Sequence, residues 1–192
     1  EGLANIICLQ MSDKSIEDEA KAYISEEKEV FTVEDAIAGA KDILAENYAD
    51  EAEYRTKIRD ITRKKGLLVS TAKDKDAKTV YEMYYEFSEP INKLVGYRIL
   101  AINRGEKEKI LTVKVEAPTD DIINYLKKTI IHKKDHESAS YIAEAIEDSY
   151  TRLIAPSIER EIRNELTEMA EDGAISVFGK NLHQLLMQPP VA

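Results

Sequence analysis

The chain has 192 residues, of which 43% are hydrophobic and 33% charged; this is enough apolar content to close a core in one domain, or one domain with a small appendage, and it excludes a disordered chain. No apolar run approaches the roughly 18 residues that a membrane helix needs, no basic-then-apolar leader opens the chain, and the single cysteine, Cys8, excludes an internal disulfide and a cysteine metal cluster and points to a reducing cytoplasm. The formal charge of −10 argues against a whole-surface nucleic-acid binder, because neutralised phosphates carry most of such affinity. Yet residues 61–115 hold 12 basic and 7 acidic side chains, between arms of 7 and 16 (residues 1–60) and of 8 and 14 (residues 116–192). A start at Glu1 rather than Met, and a finish at Gln188-Pro189-Pro190-Val191-Ala192 that reads as linker, suggest a piece of a longer protein.

In chain order, Ser15 with Asp18 three residues on has the form of a helix start, followed by Ile16, Ala20 and Tyr23. Thr32 is a good N-cap, with Glu34 and Asp35 in the first turn, and Val33, Ala36, Ile37, Ala40, Ile43 and Leu44 fall on one stripe. The spacing predicts a helix over about 33–48. A second helix is expected over 51–65, ending at Gly66 as its C′ residue. Residues 67–71 suit a strand, and Lys73 to Asp76 a charged loop. Residues 79–87, with Tyr81, Tyr84 and Tyr85, fit either a helix face or a strand, and Ser88-Glu89-Pro90 is expected to break whichever forms.

A core helix is expected over 94–103, terminated by Gly105, and a strand over 110–115, ending before Pro118. Thr119, with Asp120 and Asp121 behind it, opens a helix with Ile122, Ile123, Leu126, Ile130 and Ile131 as its stripe. Residues 138–153 are helical, and Pro156 starts a new helix or a kink. Ile158, Ile162, Leu166 and Met169 continue the pattern, Gly173 interrupts it, and Ile175, Phe178, Leu182, Leu185 and Leu186 form a last helix. The fold class expected is therefore mainly α: an irregular multi-helix domain with a few short strands.

Few motifs carry chemistry. His132 and His136 have a spacing that zinc can use on one helix face, but Lys133 and Lys134 between them repel a cation, and the solvent-exposed reading is preferred. Ser70 and Lys73 match a serine–lysine pair without its companion motifs. No glycine-rich phosphate loop is present, and no nucleophile, base and orienting group assemble, so neither an enzyme nor a cofactor is expected. The basic middle offers Arg63, Lys64 and Lys65 as one cluster and Arg98, Arg104, Lys107, Lys109 and Lys114 as another beside Tyr97. Such residues meet phosphates and bases. The alternative, which is preferred, is that they neutralise acidic neighbours.

Four separated stretches, in order, resemble the Tex family of bacterial transcription accessory proteins. They are VEDAIAGAKDILAE (33–46), YYEFSEPINKLVGYRILAINRG (84–105), DSYTRLIAPSIEREIRNEL (148–166) and AISVFGKNLHQLLMQPP (174–190). Together they span nearly the whole chain. The resemblance implies a helical N-terminal region of a protein several times longer, with a helix-turn-helix-like part and a long central helix. In the family, further sequence precedes this region, and an RNase-H-like domain, helix-hairpin-helix modules and an OB-type RNA-binding domain follow it. Family members are related to a eukaryotic elongation factor that chaperones histones. Nucleic-acid binding by RNA or DNA partners is credited in the family mainly to that last domain. One departure is Tyr97, where the family has a histidine before the matched arginine.

The expectation is a non-enzymatic scaffold and interaction region, over residues 1–192, of a transcription accessory protein, with a subdivision at 1–117 and 118–192. The partners expected are nucleic acid through the longer protein and the transcription machinery, with no membrane. The alternative is direct nucleic-acid binding through residues 61–115.

Overall fold

Helix-start chemistry sets the first elements. Helix α1 is Gly2–Leu9. Ser15 then accepts a hydrogen bond from the Asp18 amide at 3.2 Å and opens α2, Ile16–Ala20. At Thr32 both halves of a capping box form: its hydroxyl accepts from the Asp35 amide at 3.1 Å, and the Asp35 carboxylate accepts from the Thr32 amide at 3.0 Å. Helix α3, Val33–Asp50, follows and buries Ala36, Ile37, Ala40 and Leu44 of the stripe read from the sequence, with Ala45 and Tyr48 in addition, while Val33 and Ile43 are half-buried. Helix α4 is Ala52–Lys65 and ends in Arg63, Lys64 and Lys65, where cations oppose the negative end of the helix dipole. Gly66 follows without a left-handed backbone. A Cβ there would collide with the Thr62 carbonyl and the Ile91 side chain, so glycine serves close approach rather than capping.

The computed structural model describes residues 1–187. They divide into two compact units, Glu1–Arg59 with Thr119–Ile158, and Asp60–Pro118 with residues 159 onward.

In the first unit, α6 (Thr119–Ile130) buries Ile122, Leu126 and Ile130 at a spacing of four, behind Asp120 and Asp121 in its first turn. Helix α7, Ser138–Asp148, buries Ile142, Ala145 and Ile146. It does not stop at Pro156 but widens into a π-helical turn, Ser149–Ile154, before α8 (Ala155–Leu186) begins. Proline has no amide hydrogen for the carbonyl four residues back and its ring crowds that carbonyl; the wider turn just before it removes the conflict. The buried Ser149 hydroxyl donates to the Ala45 carbonyl at 2.7 Å and fixes this turn against α3. Ile7, Ile16, Leu44, Ile122, Leu126 and Ile154 are among the core residues of the unit.

In the second unit, three antiparallel strands pair in the order β2-β1-β3: β1 Leu67–Ala72, β2 Glu86–Pro90 and β3 Leu111–Glu116. The ambiguous tyrosine stretch is a 3₁₀ turn, Glu82–Tyr84, that leads into β2, with Tyr81, Tyr84 and Tyr85 buried. The expected break at Ser88-Glu89-Pro90 does not occur. β2 runs to Pro90, paired opposite Leu67, because an edge strand can present a proline where no ladder hydrogen bond is needed.

Helix α5 is Gly96–Lys107 and passes through Gly105, which the sequence reading made its terminator. Gly105 is buried, and a Cβ on it would stand 2.7 Å from Leu111 Cδ1; the left-handed residue after the helix is Lys109, at φ 62°. Gly173 likewise interrupts nothing, since α8 is one helix of 32 residues. Ile162, Leu166 and Ala170 are its buried residues in this unit, and residues 171–184 are exposed. The Pro189-Pro190 linker and the Leu185 side chain fall outside the described residues. The chain is thus mainly helical with a small sheet, and none of its described helices is long and apolar enough to cross a membrane.

Candidate nucleic-acid interface

Charge separates cleanly between the two units. The first holds 12 Lys and Arg against 22 Asp and Glu; the second holds 15 of each. The net −10 therefore belongs to the first unit, and the basic middle of the sequence lies in a unit that is neutral. The acidic residues that balance it come in part from α8, which brings Glu159, Glu161, Glu165 and Glu168 to the second unit.

The three arginines of the candidate set are each held by a carboxylate. Arg63, on the last turn of α4, donates two hydrogen bonds to Glu165 of α8, Nε to Oε2 at 3.0 Å and Nη2 to Oε1 at 2.6 Å. Arg98 on α5 donates to Glu89 of β2 at 2.7 Å and stands 5.8 Å from the centre of the Tyr97 ring. Arg104 donates to Glu108 one turn ahead at 3.1 Å. Glu165 raises the affinity of Arg63 for its proton, and Glu89, with Tyr97 behind it, does the same for Arg98. Side chains so engaged are less available to phosphate, although the Arg63 and Arg104 pairs are exposed and individually weak, while Glu89 in the Arg98 pair is half-buried.

The lysines differ. Lys64 and Lys65 at the end of α4, Lys107 on the last turn of α5, Lys109 beyond it and Lys114 on β3 are all exposed. Asn92 donates to the Lys64 carbonyl at 3.4 Å, which sets the end of α4 beside the turn that precedes α5. The candidates do not form one face. At 100° per residue Arg98 and Lys107 point to opposite sides of α5, whereas Arg104 and Lys107 lie within about 60° of each other. Tyr97, 67% exposed, is on the Arg104 side.

The other candidates resolve as structural groups. The buried Ser70 hydroxyl donates to the Tyr84 carbonyl at 2.5 Å, while Lys73 is in the exposed loop. His132 and His136 lie in the segment between α6 and α7 rather than on one helix. His136 bonds the Ser12 carbonyl through Nε2 (3.0 Å) and Ser138 through Nδ1 (2.5 Å to the hydroxyl), whereas the His132 ring is exposed. Among the described residues no three His, Cys, Asp or Glu side chains are grouped to hold a metal ion.

Sequence reading missed two arrangements. Arg163 of α8 donates to Asn103 and to Glu106 of α5 at 3.1 and 2.5 Å, and Asn103 donates in turn to Thr167 at 2.8 Å. Beyond this network α5 and α8 line an apolar groove of about 550 Å³ with Tyr97, Leu100, Ala170, Ala174, Val177 and Phe178 among others. The α8 side chains Ile175, Val177, Phe178, Leu182 and Leu186 are exposed there or further along the helix.

The chain is mainly helical, with one small three-stranded sheet and one helix of 32 residues. Residues 12–178 match the family described as Tex central region-like, and the chain belongs to that family. It is 52% identical over 194 residues to the uncharacterized protein YdcI of Bacillus subtilis, covering all of this chain and 27% of that protein. It is 32% identical over 179 residues to the human S1 RNA-binding domain-containing protein 1, covering 85% of this chain and 18% of that protein. It is 26% identical over 195 residues to the transcriptional accessory protein Tex of Neisseria gonorrhoeae, covering 98% and 25%. The chain thus spans about a quarter or less of these relatives.

Proposed function

We propose that the chain is a non-catalytic scaffold and interaction region of a cytoplasmic transcription accessory protein, and that nucleic acid is bound by the longer protein rather than by this region. The observation that carries this reading is the internal pairing of Arg63, Arg98 and Arg104 within a unit that carries no net charge. The process is supported by the Neisseria relative, named for transcription, and the nucleic acid by the human relative, named for RNA binding. Helix α8, with its exposed apolar side chains beyond Ala170, is the element suited to hold neighbouring parts of a longer protein.

The second reading keeps direct nucleic-acid binding by residues 61–115 and rests on the exposed Lys64, Lys107 and Lys109 with the neighbouring Tyr97. Fluorescence anisotropy of labelled single-stranded RNA and duplex DNA, at low and at physiological salt, separates the two. The scaffold reading expects no saturable binding at either salt. Tight binding that weakens steeply with salt, and that is lost when Arg98→Glu and Arg104→Glu are combined, establishes the second reading and ends the first.

A further inference from the structure

The acidic first unit contains a basic spot at the end of α6 and on the loop after it. In the eight residues from Lys127 to Lys134, Lys127, Lys128, His132, Lys133 and Lys134 are basic. Three of them, Lys127, Lys128 and Lys134, line a groove of about 290 Å³ at the end of α6, the following loop and the start of α7, together with Asn124, Ile131 and Ala139. Two of the lysines are engaged: Lys127 with Glu147 at 2.6 Å, and Lys133 with the Gln10 carbonyl at 2.9 Å. Lys128 and Lys134 are exposed and make no ion pair among the described residues. Lysines on the last turn of a helix offset its dipole, which accounts for Lys127 and Lys128. It does not account for Lys134, which lies beyond the helix on the loop.

We propose that this groove docks a short acidic segment of a partner protein, with an apolar side chain over Ile131 and Ala139 and carboxylates on Lys128 and Lys134. Charge complementarity selects an acidic occupant. The floor selects a peptide over nucleic acid: its lining is Ile131, Ala139, Asn124 and lysine stems, with no aromatic ring among these residues on which a base could stack. The surroundings select a short one. Lys127 of the lining is already paired with Glu147, in a unit with 22 acidic residues, so a polyanion that ran on past the rim would be repelled, whereas a peptide can end there. The loop is also set in advance. Gln10 accepts hydrogen bonds from the amides of His132 and Lys133 at 3.0 and 2.9 Å and donates to the Lys133 carbonyl at 2.8 Å, so Lys134 is carried on a fixed backbone and little ordering accompanies binding.

The test is anisotropy with three fluorescent probes: a peptide of about twelve residues with aspartate and glutamate around a central Leu-Phe pair, the same peptide with Ser-Ser at its centre, and a single-stranded RNA of about twelve nucleotides. The Leu-Phe peptide is expected to bind saturably in the range of about 10–100 μM. Combined Lys128→Glu and Lys134→Glu should weaken it at least about tenfold, and the Ser-Ser peptide should bind about fivefold more weakly. The RNA should bind less well than either peptide. Both lysines are exposed, so the variant keeps its fold, which far-UV circular dichroism checks. Unchanged peptide affinity in the double variant overturns the proposal, as does absence of binding at about 1 mM peptide. RNA binding that exceeds peptide binding and falls in the same variant overturns it in favour of a phosphate-backbone site.

Discussion

Gln10 should matter far more than its place at the end of an eight-residue helix suggests. It sits in the left-handed region at φ 51°, its side chain is 1% exposed, and its amide makes three hydrogen bonds to the backbone of residues 132 and 133. Gln10→Ala removes all three and leaves two amide hydrogens and one carbonyl in a partly buried site. At about 1 kcal/mol per hydrogen bond net, and more where a buried group is left unpaired, the loss comes to about 3 kcal/mol. Glutamine and alanine suffer alike from the left-handed backbone, so that contribution cancels. Gln10→Gly relieves it and should be about 1 kcal/mol less damaging than the alanine variant.

Urea denaturation followed by circular dichroism gives both differences, and the midpoint should move without a change in slope. A Gln10→Ala loss below about 1 kcal/mol would refute the reasoning, since the backbone groups would then have found other partners. Glycine no better than alanine would refute the strain argument. Because the same three bonds hold the loop that carries Lys134, Gln10→Ala should also weaken acidic-peptide binding while leaving Lys128 in place.

Three further outcomes are expected. Tyr48→Phe should raise stability by about 1 kcal/mol, because the Tyr48 hydroxyl is buried with no hydrogen-bond partner among the described residues. Burial, helped by the nearby Cys8, also pushes the Tyr48 phenol well above its ordinary range. The folded state then keeps a proton that the unfolded chain gives up near pH 10, so stability is intact below that pH and falls above it; the part due to Tyr48 should vanish in the phenylalanine variant when midpoints are compared from about pH 9 to 11. Gly105→Ala should destabilise by about 1 kcal/mol in thermal melts, although alanine is the better helix former. The new methyl meets the fully buried Leu111, and overpacking of about 1–3 kcal/mol outweighs a propensity gain of about 1 kcal/mol. Arg63→Ala should cost less than about 1 kcal/mol, because its pair with Glu165 is more than two-fifths exposed on both sides; a larger loss in urea titrations would mean that the pair acts as a tie of α4 to α8 rather than as a surface ion pair.

The elements that the sequence announced are those whose cause is local. Thr32 with Asp35 opens α3, the spacing of Ile122, Leu126 and Ile130 gives α6, and β1 and β3 lie where β-branched runs stand between turns. Errors arose where a residue's usual punctuation was overruled by a partner far along the chain. Gly105 reads as a stop, but it is glycine because Leu111 returns against it. Pro90 reads as a break, but β2 is an edge strand whose place in the sheet is set by β1. Gly173 reads as an interruption, but helix propensity costs only about 1 kcal/mol at one glycine, and the turns on either side of it carry the helix through.

The candidate site shows the same limit in electrostatic form. A count along the chain correctly finds 12 cations among 55 residues, but it does not say which carboxylates answer them, and one of those lies outside the window. Glu165 lies 102 positions beyond Arg63, and only the approach of α8 to the last turn of α4 makes them a pair. A local excess of charge is therefore informative only after folding has shown whether it is answered. Residues 61–115 are answered by Glu165, Glu89 and Glu108, among others, and their unit is neutral. The stretch from Lys127 to Lys134 lies in an acidic arm, yet it keeps Lys128 and Lys134 without ion partners among the described residues, beside an apolar floor. The larger basic run is therefore the weaker argument for an anionic partner, and the shorter one, in the more acidic unit, is the stronger.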